Sequence, residues 1–191
     1  MEQWFVLSTE PGRELQAAEL LNRVISRSLC SLCCIPRKTK VFRSGGRLHL
    51  VEDVLFPGYL FVRTERPDEL SRELKRARAF PQPVGIGSRV SNGGSVSSEG
   101  SGGRLLVPVE APDLRFLQDV CGENLQQVMG VTRLLLGREN EILEARGVLE
   151  HYLGRIRRLN LHKRFAVVEV DLFNRKQEIL FGVQLEQDQA G

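Results

Sequence analysis

Hydrophobic and polar positions along the chain change their period from one segment to the next. Compact apolar runs at residues 4–7 and 60–62 are typical of strands, and the second is short enough to be buried on both faces. Between them, apolar residues recur in pairs three to four positions apart over residues 13–28, which predicts an amphipathic helix. Glu14 falls on the polar side of that helix.

Turn residues divide the rest of the N-terminal part. Gly45 and Gly46 indicate a hairpin tip, with a strand returning at residues 48–51. Pro67 begins a second helix that ends near residue 81, and residues 84–86 are predicted to form a short strand. Residues 88–103 include 11 Gly or Ser among 16 positions, a composition that predicts a flexible insertion. A strand edge at residues 107–108 and a short helix at 113–117 follow.

Short strands separated by turn residues fill the last fifty positions and predict a small antiparallel barrel. The fold class is therefore α+β: an N-terminal α/β sandwich with a mixed sheet and helices, followed by a small all-β barrel. We expect an N-terminal domain over residues 1–120, a linker over 121–138 and a C-terminal domain over 139–187.

Composition excludes several classes of function. Hydrophobic content of 41% and a net charge of +3 are those of an ordinary globular protein. The polar start and the lack of a long apolar run predict a cytoplasmic protein without membrane contact. Cys30 and Cys33 have the spacing of half a zinc site, but no second pair completes it. With no catalytic cluster or phosphate-binding loop either, we expect no enzyme, metal or cofactor.

Basic residues cluster in three places that could contact nucleic acid. The first spans residues 155–164, which hold five Arg or Lys together with His162 and no acid, and it could extend into the next hairpin. Its members are Arg155, Arg157, Arg158, His162, Lys163, Arg164, Arg175 and Lys176. Secondary candidates are Arg37, Lys38, Lys40 and Arg43 before the hairpin tip and Arg72, Lys75 and Arg76 on the second helix. The alternative for each is a solvated charged face.

Two stretches together resemble one family. Residues 4–7 with the helix after them, and the run Phe56-Pro57-Gly58-Tyr59 with residues 60–62, resemble the N-terminal (NGN) domain of NusG-type transcription factors. Residues 147–185, with Gly154 before a basic strand, resemble the KOW module of the same family. The Gly/Ser-rich insertion departs from the family pattern, as does Val148, which stands where a proline is often found.

The resemblance implies binding rather than catalysis. An NGN domain binds the clamp helices of the RNA polymerase β′ subunit through an apolar patch. Carried over residue by residue, that patch falls on Phe5, Phe56, Pro57, Gly58 and Tyr59, with Val84 as a weaker match. A glycine flanked by aromatic residues is a reasonable centre for such an interface.

Within the family, the basic run after Gly154 and the ending Phe181-Gly182-Val183 are most similar to LoaP, a specialised antitermination paralog. This similarity implies a monomer recruited by a structured leader RNA to promote processive transcription of an operon. Three alternatives stay open: another operon-specific paralog of the RfaH or UpxY kind recruited by non-template DNA, a KOW domain that contacts ribosomal protein NusE, and a stand-alone RNA-binding or ribosome-associated KOW protein.

Overall fold

The computed structural model describes residues 1–77 and 106–188. Two compact units divide the chain: Met1–Ile35 with Pro57–Val109, and Pro36–Phe56 with Glu110–Gly191. Both units are discontinuous in sequence, unlike the predicted domains 1–120 and 139–187, and those domain boundaries stay a prediction. The strand predicted at residues 84–86 and the Gly/Ser-rich stretch 88–103 lie outside the described residues.

Eleven strands, three α-helices and one 3-10 helix form the described part of the chain. The elements of the first unit are β1 (Gln3–Ser8), α1 (Glu14–Val24), β2 (Leu32–Cys34), β5 (Tyr59–Thr64), α2 (Pro67–Arg76) and β6 (Val107–Pro108). Those of the second unit are β3 (Arg37–Ser44), β4 (Arg47–Val54), α3 (Ala111–Cys121), β7 (Thr132–Leu136), β8 (Ile142–Arg146), the 3-10 helix Val148–Arg155, β9 (Ile156–Asn160), β10 (Phe165–Leu172) and β11 (Arg175–Leu185).

The first unit is a four-stranded sheet in the order β2-β5-β1-β6. The sequence predicted a mixed sheet, and all three described pairings are antiparallel. Phe5 lies opposite Val62 in the β1–β5 pair, so both side chains point to the same face. That face belongs to a hydrophobic cluster with Leu21 of α1 and Leu70 of α2. Both helices therefore pack against the face of the sheet that carries Phe5 and Val62.

The second unit combines a two-stranded ribbon, β3–β4, with a five-stranded sheet in the order β8-β7-β11-β10-β9. Four of its five pairings are antiparallel and the β11–β7 pairing is parallel. Strand β7 falls within residues 121–138, where the hydrophobic pattern is weak and a linker was predicted. Only two of its five residues, Thr132 and Leu134, are buried, which explains the weak signal.

Aromatic contacts tie α3 and the 3-10 helix to the five-stranded sheet. The ring of Tyr152 lies 5.5 Å from that of Phe116 and 5.8 Å from that of Phe181, measured between centroids. Asp113 of α3 accepts a hydrogen bond from the backbone N–H of Phe173, in the turn between β10 and β11. The second unit therefore has a continuous interior of its own.

The α+β fold class predicted from the sequence is confirmed: helices pack on an N-terminal sheet, and the C-terminal part is rich in strands. Among the helices that the structure describes, none has the length and apolar character required to cross a bilayer.

Candidate functional site

The first candidate surface is the turn Pro57–Tyr59, which we call the Pro57 turn. Gly58 has a φ of 85°, a conformation that favours glycine. A Cβ atom at this position would lie 3.1 Å from the carbonyl oxygen of Thr9 and 3.3 Å from Cγ of Pro11. The Thr9 N–H donates to the Gly58 carbonyl at 2.8 Å, so the backbone that follows β1 packs directly against the backbone of the Pro57 turn. Glycine is required here for both conformation and space.

A buried carboxylate fixes this arrangement. Oε1 of Glu14 accepts a hydrogen bond from the Gly58 N–H at 2.6 Å, and both carboxylate oxygens lie 3.0 Å from the Gly12 nitrogen. Glu14 is only 4% exposed, although helical periodicity predicted it on the polar side of α1. Its position at the first residue of α1, two residues after Gly12, is the sequence signal for a carboxylate that binds nearby backbone N–H groups.

The residues predicted to bind polymerase differ in their solvent exposure. Phe5 and Phe56 are 6% and 3% exposed, and Phe56 packs edge-on against Phe173 with ring centroids 6.2 Å apart. Pro57 is exposed and Tyr59 is half-buried. Val84 lies outside the described residues. The accessible part of the predicted patch is therefore the Pro57 turn, whereas Phe5 and Phe56 are both buried.

The second candidate surface is on the C-terminal sheet. Seven of the eight residues predicted to bind RNA are exposed, and we call them the cationic cluster: Arg155, Arg157, Arg158, His162, Lys163, Arg175 and Lys176. Arg158 lies with its guanidinium 5.4 Å from the centre of the Phe165 ring, which orients the cation without neutralising it. Arg155, Arg158 and Lys163 form no ion pair with any described residue. Uncompensated cations of this kind are available to phosphate groups.

Arg164 does not belong to the cationic cluster, contrary to its predicted grouping. Its side chain is 8% exposed and forms a bidentate pair with Asp188, from Nε to Oδ2 at 2.7 Å and from Nη2 to Oδ1 at 2.5 Å. Nη1 donates to the carbonyl of Leu161. Burial raises the pKa of Asp188, but the hydrogen bonds from Arg164 and the Leu185 N–H lower it more, so that the net shift is downward. Arg164 is therefore a structural residue that fixes the turn at residues 161–164.

Glu169 is an acidic residue within the cationic cluster. Its Oε1 lies 2.7 Å from Nη2 of Arg157 and 2.9 Å from Nζ of Lys176. These two hydrogen bonds lower the pKa of Glu169 to about 2, so the carboxylate is charged throughout the neutral range. It reduces the positive charge that the two cations present.

The secondary candidates are partly neutralised. Arg37 pairs with Glu52 at 2.6 Å and Lys40 with Asp53 at 2.8 Å, across the β3–β4 ribbon. Lys38 is half-buried, and this burial lowers its pKa. Arg43 lies 3.9 Å from Asp188. On α2, Arg76 pairs with Glu73, whereas Arg72 and Lys75 are exposed and form no ion pair with a described residue.

The cysteines show no sign of a metal centre in the described residues. No group of three or more His, Cys, Asp or Glu side chains is close enough there to hold a metal ion. Burial raises the pKa of Cys33 and of Cys121 to about 12, which keeps both thiols protonated. The two side chains therefore act as small apolar groups.

The chain was compared with protein families and with solved structures. Residues 2–92 match the family model NusG, described as transcription termination factor nusG. A solved structure titled "Domain interaction in Thermotoga maritima NusG" is similar in fold, with a TM-score of 0.51 and 19% identity over 95% of this chain and 94% of that one. No curated protein matches the chain significantly. These findings support the NusG-family resemblance, and the Pro57 turn lies within the matched residues.

Proposed function

We propose that this chain, whose residues 2–92 match the NusG family model, is a NusG-type transcription factor that binds RNA polymerase through the Pro57 turn. The observation that carries the proposal is the turn itself: Glu14 and Thr9 hold its backbone by hydrogen bonds, while Pro57 is exposed and Tyr59 is half-buried. A rigid turn with an aromatic side chain gives contact area with little loss of conformational entropy on binding. The partner surface is the helix pair of the β′ clamp.

The polymerase contact is tested by replacing Tyr59 with aspartate. We expect the affinity for core RNA polymerase to fall about tenfold or more, because a charge replaces an aromatic ring at the centre of the interface. The matched control is Leu15→Asp, since Leu15 is another exposed apolar residue of the first unit, at 67% exposure. Binding would be measured by titration with labelled core enzyme.

Equal affinities of the Tyr59 and Leu15 variants would remove the Pro57 turn from the interface. Failure of the unaltered chain to bind polymerase would instead favour a stand-alone RNA-binding or ribosome-associated protein. Circular dichroism of both variants shows whether the fold is retained.

The finer function that we propose is antitermination, with a structured leader RNA bound by the cationic cluster. It is supported by Arg155 at the end of the 3-10 helix, Arg158 in β9 and Lys163 in the turn after β9, because all three are exposed and have no paired carboxylate in the described chain. RNA hairpins are recognised mostly through backbone and shape, for which separated cations are suited. Similarity to LoaP is the basis for choosing RNA over non-template DNA or NusE. Transcription past a terminator, with and without a cognate leader, tests it directly.

The RNA contact is tested by two variants that are expected to change the RNA affinity in opposite directions. Charge reversal at Arg158 and Lys163 should weaken binding of a leader hairpin and reduce the slope of log affinity against log salt by about two. Glu169→Gln should act in the other direction, since it removes a negative charge and releases Arg157 and Lys176. Filter binding at several salt concentrations measures both effects. If neither variant changes the affinity, the cationic cluster is not the RNA-binding surface.

A further inference from the structure

An exposed aromatic pair lies on the β3–β4 ribbon. Phe42 and His49 are directly opposite each other in the register, and their rings stack with centroids 5.0 Å apart and an angle of 20° between the planes. Phe42 is 47% exposed. Val51, two residues after His49 on the same face, is also 47% exposed. The two stacked rings and Val51 thus form an exposed surface on one face of the ribbon.

Two basic residues lie beside this platform, which we define as Phe42, His49 and Val51. Lys40 lies opposite Val51 and Arg47 lies opposite Ser44, both on the same face as the aromatic pair. Lys40 is paired with Asp53, whereas Arg47 is exposed and forms no ion pair with a described residue. Of the two cations beside the platform, Lys40 is therefore neutralised by Asp53, whereas Arg47 is available to a phosphate group.

The ribbon is fixed to the five-stranded sheet within the second unit. Thr39 donates to the carbonyl of Met129 at 2.8 Å, and Met129 donates to that of Arg37 at 2.8 Å. Nearer the tip, Arg43 lies 3.9 Å from Asp188, the carboxylate that also holds Arg164. The ribbon thus lies beside the turn at residues 161–164, which carries Lys163 of the cationic cluster.

We propose that the platform binds a single-stranded segment of RNA, with a base stacked on Phe42 and a phosphate against Arg47. This inference rests on the proposed function, because it makes the segment a single-stranded flank of the RNA whose folded part contacts the cationic cluster. Bases stack on exposed aromatic rings only where they are not already stacked within a duplex. Asp188 contacts both Arg43 of the ribbon and Arg164 of the turn that carries Lys163, so the ribbon and that turn are neighbours, while Phe42 lies on the face of β3 opposite Arg43.

The basic residues beside the aromatic rings favour RNA as the partner of the platform. A protein partner would be expected to use a surface with few charges at its centre, whereas here cations border the rings. Duplex nucleic acid would present phosphates to Arg47 but no base face to Phe42. Only a single strand uses both features.

The test uses the full chain and a single-stranded RNA oligomer with a central 2-aminopurine, whose fluorescence falls when it stacks. We expect fluorescence quenching on binding, and an affinity at least about fivefold weaker for Phe42→Ala, the lower end of what one stacked base contributes. The matched control is Leu50→Ala, since Leu50 is 56% exposed on the opposite face of the same ribbon. The affinity for a DNA oligomer of the same sequence is measured in parallel.

Unchanged affinity of the Phe42 variant, equal loss in the Leu50 variant, or tighter binding of DNA than of RNA would each overturn the proposal. A blunt RNA hairpin and the same hairpin with a single-stranded tail separate this proposal from the previous one. If the blunt hairpin binds and the tail adds nothing, the platform proposal alone fails. If the single strand binds and the hairpin does not, the proposed function of the cationic cluster fails, and the platform's role as part of one continuous RNA site fails with it.

Discussion

Glu14→Ala is expected to reduce the free energy of unfolding of the first unit by about 3 kcal/mol, the upper end for losing a charged hydrogen-bond acceptor. The substitution leaves the buried Gly58 N–H without its acceptor at 2.6 Å and also releases the Gly12 N–H. Trp4, the only tryptophan in the chain, lies in β1 of this unit and reports its unfolding by fluorescence in urea. The transition should move to lower urea with an unchanged slope.

Control variants isolate the carboxylate. Glu19→Ala removes an exposed acid from the same helix and should change stability by no more than about 0.5 kcal/mol. Glu14→Gln keeps the shape and one acceptor oxygen, so an intermediate loss is expected. A Glu14→Ala variant as stable as the Glu19 variant would show that the Pro57 turn does not depend on this residue.

The same substitution connects stability with the proposed function. Because the Glu14 carboxylate holds the Gly58 backbone, its loss should let the Pro57 turn sample other conformations and weaken polymerase binding even where the unit stays folded. The sequence identified the turn through Pro57, Gly58 and Tyr59 but not the residue that fixes it. Helical periodicity assigns a residue to the polar or apolar side, and it cannot show that a polar side chain is buried to satisfy backbone donors from a distant turn.

Local structure was predictable where a residue type sets the backbone. The hairpin tip at Gly45 and Gly46 is observed with φ values of 58° and 77°, the positive pair that a two-residue turn requires. Pro67 begins α2, as its fixed φ and missing N–H suggest. These features depend on neighbouring residues alone, so a single sequence carries enough information.

Tertiary partners were not predictable in the same way. The ribbon β3–β4 was expected to belong to the N-terminal domain, and the structure groups it with the C-terminal sheet. Arg164 was counted with the exposed cations because Asp188, its partner, is 24 residues away in sequence. Phe42 was not singled out at all, since its stacking on His49 depends on the strand register. Each of these depends on a contact between segments that no local pattern records.

Gly182→Ala is expected to destabilise the attachment of the β3–β4 ribbon to the five-stranded sheet by about 1–3 kcal/mol, the usual cost of forcing extra volume into a packed site. A Cβ atom at Gly182 would lie 2.6 Å from the carbonyl oxygen of Thr39 and 3.1 Å from Cγ1 of Val131. The nearest atom belongs to the backbone, so a side-chain rotation cannot relieve the clash and β3 must move. Hydrogen exchange of residues 37–54 should then accelerate, because the Thr39 to Met129 hydrogen bond opens more often.

Gly154→Ala is the matched control for this prediction, since a Cβ atom there meets nothing within 4 Å. It should leave exchange of residues 37–54 unchanged. If the ribbon positions the aromatic platform beside the cationic cluster, Gly182→Ala should also reduce the gain in affinity that a single-stranded tail gives to an RNA hairpin. Unaltered exchange in the Gly182 variant would contradict the close approach of β3 to β11 and remove the support for one RNA contacting both the proposed platform and the cationic cluster.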